Sequence, residues 1–456
     1  MEEDKLMINN HETDFLKDLE GEKEHFTLLK NLYTDVFSEE EKELIKQEFQ
    51  ETFSPEELQD IKEKFEKIYR YYYDLARPTI IETYTELAFE NNNYLDPKFY
   101  QNFPEFSAKN QQKFENNAFD FFQTELNNIK LAISYAKEDG QWQRIVKICQ
   151  NLQRFLKIRT YWEDLDDILR EAIYAANKSG EHLTEAHLLN QFAELQRLLG
   201  RAKEGLDKCE ESLHIFQELK DEYGEAKALY TLGFLNRSMG NWEKSAEALE
   251  NSVKLFRKIQ ECQNFDIDVE EDIAEALDGL GLIYPIFGKL ESAEEVLRES
   301  LELKEKLNNR FALSKTTNIL GKVYIELYNS QKKIEFLQEA QKLMESSLEI
   351  KKELNDLQGQ GVCFNELGKI QRLMGNYEQA HDYYLKSLNV KKKVSSTGGG
   401  ASDRHGEGLT YMEMAFCFRD QGKKEEAQNT FRKALDYLNV YSPQYEEVSK
   451  ILQDNH

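Results

Sequence analysis

Proline is scarce in this chain: six in 456 residues, at positions 55, 78, 97, 104, 285 and 443. None falls between 105 and 284 or between 286 and 442. Proline removes a helix hydrogen bond and clashes with the preceding turn, so its absence opens both stretches to long uninterrupted helices. Leu, Glu, Lys, Ala and Gln, all good helix formers, fill them, and no segment reads as a strand. Cysteine is sparse too. The five, at 149, 209, 262, 363 and 417, are scattered and never form C-x-x-C, which fits reduced thiols and a cytoplasmic location rather than a disulfide framework. No apolar run approaches the roughly 18–20 residues that span a bilayer, and "MEEDKLMINNHETDF" lacks the basic and apolar regions of a signal peptide. Positive charge is in deficit. The formal net charge is −26, which disfavours nucleic acid and anionic membranes as partners.

Catalytic and metal-binding patterns are missing as well. The eight histidines include no H-E-x-x-H and no pair four apart; His182 and His187, like Cys209 and His214, are five apart and diverge around a helix. With 85 acidic residues, paired carboxylates carry no catalytic signal. The Gly-rich stretch "SSTGGGASDRHGEG", Ser395 to Gly408, follows a helix end rather than a strand, so it reads as a flexible linker and not a phosphate cradle. The expectation is a non-enzymatic protein with no cofactor and no metal.

What is present is a repeat. "LGFLNRSMGNWEKSAEALENS" from Leu232, "LGLIYPIFGKLESAEEVLRES" from Leu280 and "LGKIQRLMGNYEQAHDYYLKS" from Leu367 share Leu-Gly, a second Gly seven residues on, and a Ser nineteen residues after the first Gly. The first Gly suits a close helix crossing. The second (Gly200, Gly240, Gly288, Gly375, Gly422) suits the positive φ of a turn between antiparallel helices. Late small residues (Ser212, Ser252, Ser300, Ser347, Ser387, Ala434) leave room for the next pair to nest. The first Gly or its equivalent falls at Gln153, Ala193, Gly233, Gly281, Gly321, Gly368 and Ala415, in steps of 40, 40, 48, 40, 47 and 47. The additions lie at "ECQNFDIDVEED", inside "ELYNSQKKIEFLQEAQKLMESS" and at the Gly-rich stretch; seven residues are about two helical turns and preserve the facing of side chains.

This pattern resembles the tetratricopeptide repeat (TPR), in a 40-residue form like that of kinesin light chains rather than the usual period of about 34. The resemblance implies an all-α fold: an N-terminal helical bundle followed by an α-solenoid of about seven TPR helix pairs forming a right-handed superhelix. The expected domains are 1–115, a helical bundle; 116–441, the superhelix; and 442–456, a capping segment. In the bundle, Ser54 with Pro55 and Glu57, and Ser38 with Glu41, form helix-start boxes, Phe53 and Leu58 a hydrophobic staple, and Tyr69, Tyr71, Tyr72 and Tyr73 an aromatic run. "ENNNYLDPKFYQNFPEF" marks a hinge. The stretch "ELNNIKLAISYAKEDGQW", Glu125 to Trp142, is similar to the helix leading into the sensor repeats of STAND-type regulatory ATPases, but no G-x-x-x-x-G-K-[ST] accompanies it.

In the resembled family the first helix of each pair lines a concave groove that binds peptide segments. The corresponding positions here are Asn190, Arg197, Tyr230, Phe234, Arg237, Asn318, Lys322, Asn365, Lys369, Arg372, Phe416 and Arg419. Asn amides bond peptide groups, Arg holds carboxylates bidentately and the Phe rings offer apolar pockets, so an acidic or C-terminal segment of another protein is the expected partner. The competing expectation pairs these arginines with carboxylates of neighbouring helices. The functional expectation is a cytoplasmic scaffold or regulatory adaptor. The alternatives are a sensor subunit of a signalling or defence effector (ATPase, protease or nuclease) and a peptide-responsive regulator of the Rap type.

Overall fold

A computed structural model describes residues 77–96, 108–262, 269–396, 404–440 and 442–453. The helix-start boxes at Ser38 and Ser54, the tyrosine run and residues 97–106 of the expected hinge lie outside the described residues. Every regular element among them is helical. The chain divides into two compact units at Thr160/Tyr161.

The first unit contains α1 (77–94), α2 (Ala108–Glu138) and α3 (Trp142–Ile158). Arg77 at the start of α1 meets Asp139 at 2.6 Å, and Arg154 of α3 donates to the Leu95 carbonyl at 3.0 Å. Buried Phe122 and Phe155 stack with centroids 5.2 Å apart, joining α2 to α3. Residue 115, the expected domain boundary, falls inside α2.

The second unit opens with α4 (Trp162–Ser179) and continues as six helix pairs. These are α5/α6 (His182–Leu198, Ala202–Leu219), α7/α8 (Glu222–Ser238, Trp242–Glu261) and α9/α10 (Glu270–Ile283, Leu290–Lys306). They continue as α11/α12 (Arg310–Gln331, Ile334–Glu353), α13/α14 (Leu357–Leu373, Tyr377–Ser396) and α15/α16 (Arg404–Asp420, Lys424–Tyr437). A last helix, α17 (Pro443–Gln453), buries Val448 against the final pair. Each helix packs on its pair partner and on the first helix of the next pair. The core is therefore a string of linked clusters, as expected when each unit can bury its apolar face only against neighbours. The α8 sequence shows why: Ala246, Leu249, Val253 and Phe256 recur every three or four residues and are buried on one stripe.

The repeated glycines do two separate things. A Cβ on Gly233, Gly281 or Gly368 would lie 2.5, 2.4 and 2.5 Å from Leu249, Leu297 and Tyr384, each on the partner helix sixteen residues later. On Gly321 it would meet Met344, twenty-three residues later, because the seven-residue addition lies within that pair. Facing is preserved across the addition. The second glycines, Gly200, Gly240, Gly288, Gly375 and Gly422, all have φ between +71° and +85°. Turns from one pair to the next use other residues: Lys220, Asn308 and Asn355 take positive φ, and the residue after each caps the following helix. Asp221, Asn309 and Asp356 accept from the amides of Gly224, Ala312 and Gly359 at 3.1, 3.1 and 2.8 Å.

Two expected loops are shorter than the sequence pattern indicates. Arg404 to Gly408, placed in the Gly-rich linker, belong to α15, and Glu270 to Asp272 belong to α9. Gly408 is small because the Leu438 backbone amide approaches it; a Cβ would sit 2.8 Å away. Residues 397–403 and 263–268 lie outside the described residues.

Candidate functional site

First helices α5, α7, α9, α11, α13 and α15 touch in succession, which brings the expected binding positions into two groups. The first group spans α5 and α7. Phe234 lies between two guanidinium groups, Arg197 5.6 Å and Arg237 5.8 Å from its centroid, and its ring edge rests against Gly279 of α9, the position where a Cβ would come within 3.2 Å. Tyr230 sits one turn earlier with centroids 4.9 Å apart, and its hydroxyl donates to Glu275 at 3.1 Å. Burial, with Glu275 and Glu194 nearby, pushes the Tyr230 hydroxyl well above its ordinary pKa. It stays a neutral donor.

The two arginines differ. Arg197 is held by Glu194 of its own helix through bonds of 2.9 and 2.5 Å, which raise its pKa. Arg237 is half-buried and has no carboxylate or hydrogen-bond partner among the described residues. Burial and then the neighbouring charge of Arg197 lower its pKa. A desolvated guanidinium beside a second one attracts an anion, because both burial and like charge are relieved when the anion arrives.

The second group, on α11, α13 and α15, is internally compensated. Lys322 approaches Glu366 at 3.6 Å, and Lys369 approaches Glu326 at 3.9 Å. Burial alone would lower the Lys369 pKa; Glu413, Glu366 and Glu326 outweigh it. Arg372, its side chain 11% exposed, bonds Glu413 at 3.2 Å and Asp420 at 2.7 Å. Burial raises the Glu413 pKa, and Lys369 and Arg372 oppose that rise. Phe416 repeats the sandwich, with Arg372 at 5.7 Å and Arg419 at 4.6 Å, but it also packs edge-on against Phe431. Arg419 is exposed, with Asp420 at 3.8 Å.

The asparagines separate further. Asn190 is half-buried near Cys209, and Asn365 is half-buried with its side-chain oxygen unbonded. Asn318 is buried at 7% exposure; its amide points at Met344 and Cys363 sulfurs at 3.3 and 3.5 Å and does not line a surface. Its counterpart Asp278 is likewise turned inward, accepting from Ser300 at 2.7 Å and pairing with buried Lys304. Period alone places these residues on one stripe of the first helices, but it does not fix on which side of the neighbouring helix each side chain turns.

No group of three or more His, Cys, Asp or Glu among the described residues is placed to hold a metal ion, and no helix there is long and apolar enough to cross a membrane.

Family models for the tetratricopeptide repeat match residues 167–258 and 332–393, and, with a second model, 274–307 and 410–437. The chain is a tetratricopeptide-repeat protein, an α-solenoid of successive helix pairs. No curated protein sequence matches it. Similar solved structures include the apo quorum sensor NprR from B. thuringiensis, at 16% identity, TM-score 0.49, covering 79% of this chain and 98% of that one. Aspartyl phosphate phosphatase F from Bacillus subtilis aligns at 10% identity, TM-score 0.49, covering 80% and 95%. The putative kinesin light chain of Podosopora anserina, with nearly identical TPR-like repeats, aligns at 17% identity, TM-score 0.35, covering 50% and 96%.

Proposed function

We propose that the protein is a non-enzymatic adaptor or regulator whose first-helix face binds an acidic or C-terminal segment of a partner protein, with the carboxylate held at Arg237. The observation that carries this reading is the contrast among the cations of that face. Arg197, Lys322, Lys369 and Arg372 have nearby carboxylates, whereas half-buried Arg237 has none among the described residues. Tyr230 and Phe234 supply a rigid aromatic floor beside it, the combination of aromatic and Arg anchors that concentrates binding energy in interfaces. In the same reading residues 442–456 are a cap; α17 supports this by covering Phe431 and its neighbours with Val448.

The test uses an array of synthetic peptides presented in pairs, free acid against amidated C-terminus and Glu against Gln. Acid-dependent binders should lose at least tenfold in affinity to the Arg237→Gln protein and weaken with added salt. Binding that ignores both the peptide's carboxylate and Arg237 would sink the proposal.

A further inference from the structure

Four residues after each late Ser, the second helices carry a buried residue whose type changes along the chain. It is Phe216 and Phe256 in the early pairs, then Lys304, Lys351 and Lys391. The residue it meets on the next first helix changes in step. Phe216 packs with Ala228 and Phe256 with Ala276, whereas Lys304 donates to Thr316 at 2.7 Å. At the junction of α12 and α13 the same positions are Lys351 and Cys363, with Nζ 3.5 Å from Sγ.

A buried ammonium is costly unless an anion compensates it. Lys304 has Asp278 for that purpose. The residue equivalent to Asp278, three before the first Gly, is Asn318 in the next pair, and an amide cannot supply the charge. Lys351 is 5% exposed and has no carboxylate partner among the described residues; the Cys363 sulfur is its side-chain neighbour. Cys363 is fully buried, and Asn318 Nδ2 and Ser347 Oγ each lie 3.5 Å from its sulfur. Other buried cysteines sit differently: Cys209 faces the Ala228 carbonyl at 3.3 Å and Cys417 the Gln421 amide at 3.4 Å.

We propose that Lys351 and Cys363 form an oxidative cross-link, Nζ–O–Sγ, which dioxygen installs between α12 and α13. The neutral amine is the reacting form; an ammonium first gives its extra proton to solvent. One N–H bond, the S–H bond and the O–O bond break, N–O and O–S bonds form, and the second oxygen leaves as water with the two displaced hydrogens. Dioxygen gains four electrons, two from nitrogen and two from sulfur. Two equivalents of dithiothreitol return them and release amine, thiol and water. Burial shields the sulfur from the stepwise oxidation open to an exposed thiol such as Cys262. The product ties the second helix of one pair to the first helix of the next, so it stiffens one junction of the array.

The experiment is intact-mass analysis of the full chain, incubated in oxygen-saturated buffer and compared with a dithiothreitol-treated sample. The expected product is heavier by about 14 Da, one oxygen gained and two hydrogens lost, and reverts with dithiothreitol. Peptide mapping should recover residues 351 and 363 in one cross-linked species, and Cys363→Ala and Lys351→Met should each abolish it. The mapping on the unaltered chain stands whether or not either variant folds. Recovery of both residues unlinked, or of Cys363 only as sulfinic acid or disulfide, overturns the proposal. A melting temperature several degrees higher in the oxidised sample, and restored by reductant, would support the stiffened junction; an unchanged one would overturn that part.

Discussion

Ser252 Oγ donates to the Ala226 carbonyl oxygen at 2.8 Å, twenty-six residues back and on the first helix of its own pair. Ser212, Ser300 and Ser387 make the same bond to Ala186, Ala274 and Gly361, and Ser347 makes it to Ser314, thirty-three residues back across the seven-residue addition. The late Ser is therefore more than a small residue that leaves room for the next pair. It pins two helices of one pair at a fixed register. Ser252→Ala should cost about 1 kcal/mol, the net worth of one buried hydrogen bond, read as a shift in urea midpoint. Ser300→Ala should cost more, because its single hydroxyl proton is shared between the Ala274 carbonyl and the charged Asp278 carboxylate. Equal losses would show that the Asp278 contact contributes nothing.

The two glycine sets should fail by different mechanisms. Gly281→Ala places a Cβ 2.4 Å from Leu297, an overpacking strain of about 1–3 kcal/mol. Gly288 has open space but φ +71°, so Gly288→Ala should cost about 1 kcal/mol through the backbone alone. Leu297→Ala should be less damaging in the Gly281→Ala background than in the wild type and show no such coupling with Gly288→Ala. A double-mutant cycle on thermal unfolding checks this.

The period, the helix pairing and the turn glycines were legible because they follow from backbone geometry that only small residues permit. Lys220, Asn308 and Asn355 escaped the same reading: a positive φ is uncommon for Lys, and Asn serves many other roles. The candidate site was half legible. Helical offset put Arg237, Arg372 and Asn318 on one sequence stripe, yet Arg372 is neutralised by Glu413 and Asp420 and Asn318 is buried, since partners come from other helices, twenty-six to forty-eight residues away. The Lys304, Lys351 and Lys391 series was visible as spacing after Ser, but lysine at a core position looks like a surface residue until its neighbours are known.

Buried Lys304 and half-buried Asp278 form an ion pair that joins α10 to α9, with Thr316 of α11 donating to the same carboxylate at 2.9 Å. Asp278→Asn should cost about 3 kcal/mol by leaving the ammonium without its counter-charge. Adding Lys304→Met should recover most of that loss, because the pair's removal also removes its desolvation cost. If the double variant is as unstable as the single one, packing rather than charge governs this junction.

Arg237 and Arg372 occupy equivalent offsets yet should respond oppositely. Arg372→Gln leaves Glu413 buried with one cation fewer and should cost about 3 kcal/mol in denaturant unfolding. Arg237→Gln breaks no ion pair and relieves the charge of Arg197, so stability should change by less than about 0.5 kcal/mol. A charge change at Arg372 would confound a binding assay with unfolding. Arg237 is the position at which binding can be tested on an intact fold.

His187 lies edge-on to Phe216 with centroids 4.9 Å apart, and its Nε2 is 4.0 Å from Asp221. Burial lowers its pKa from the ordinary 6.5, and Asp221 only partly opposes this. The unfolded chain therefore takes up the proton first as pH falls. Stability from the neutral imidazole is present above pH 6.5 and is lost as the pH drops through the lower folded value. The ring is 44% exposed, so solvent screening keeps the effect under about 1 kcal/mol. His187→Asn should flatten the fall in melting temperature between neutral and mildly acidic buffer, whatever it does to absolute stability through the lost Phe216 contact. An unaltered slope would assign the acid sensitivity to other groups.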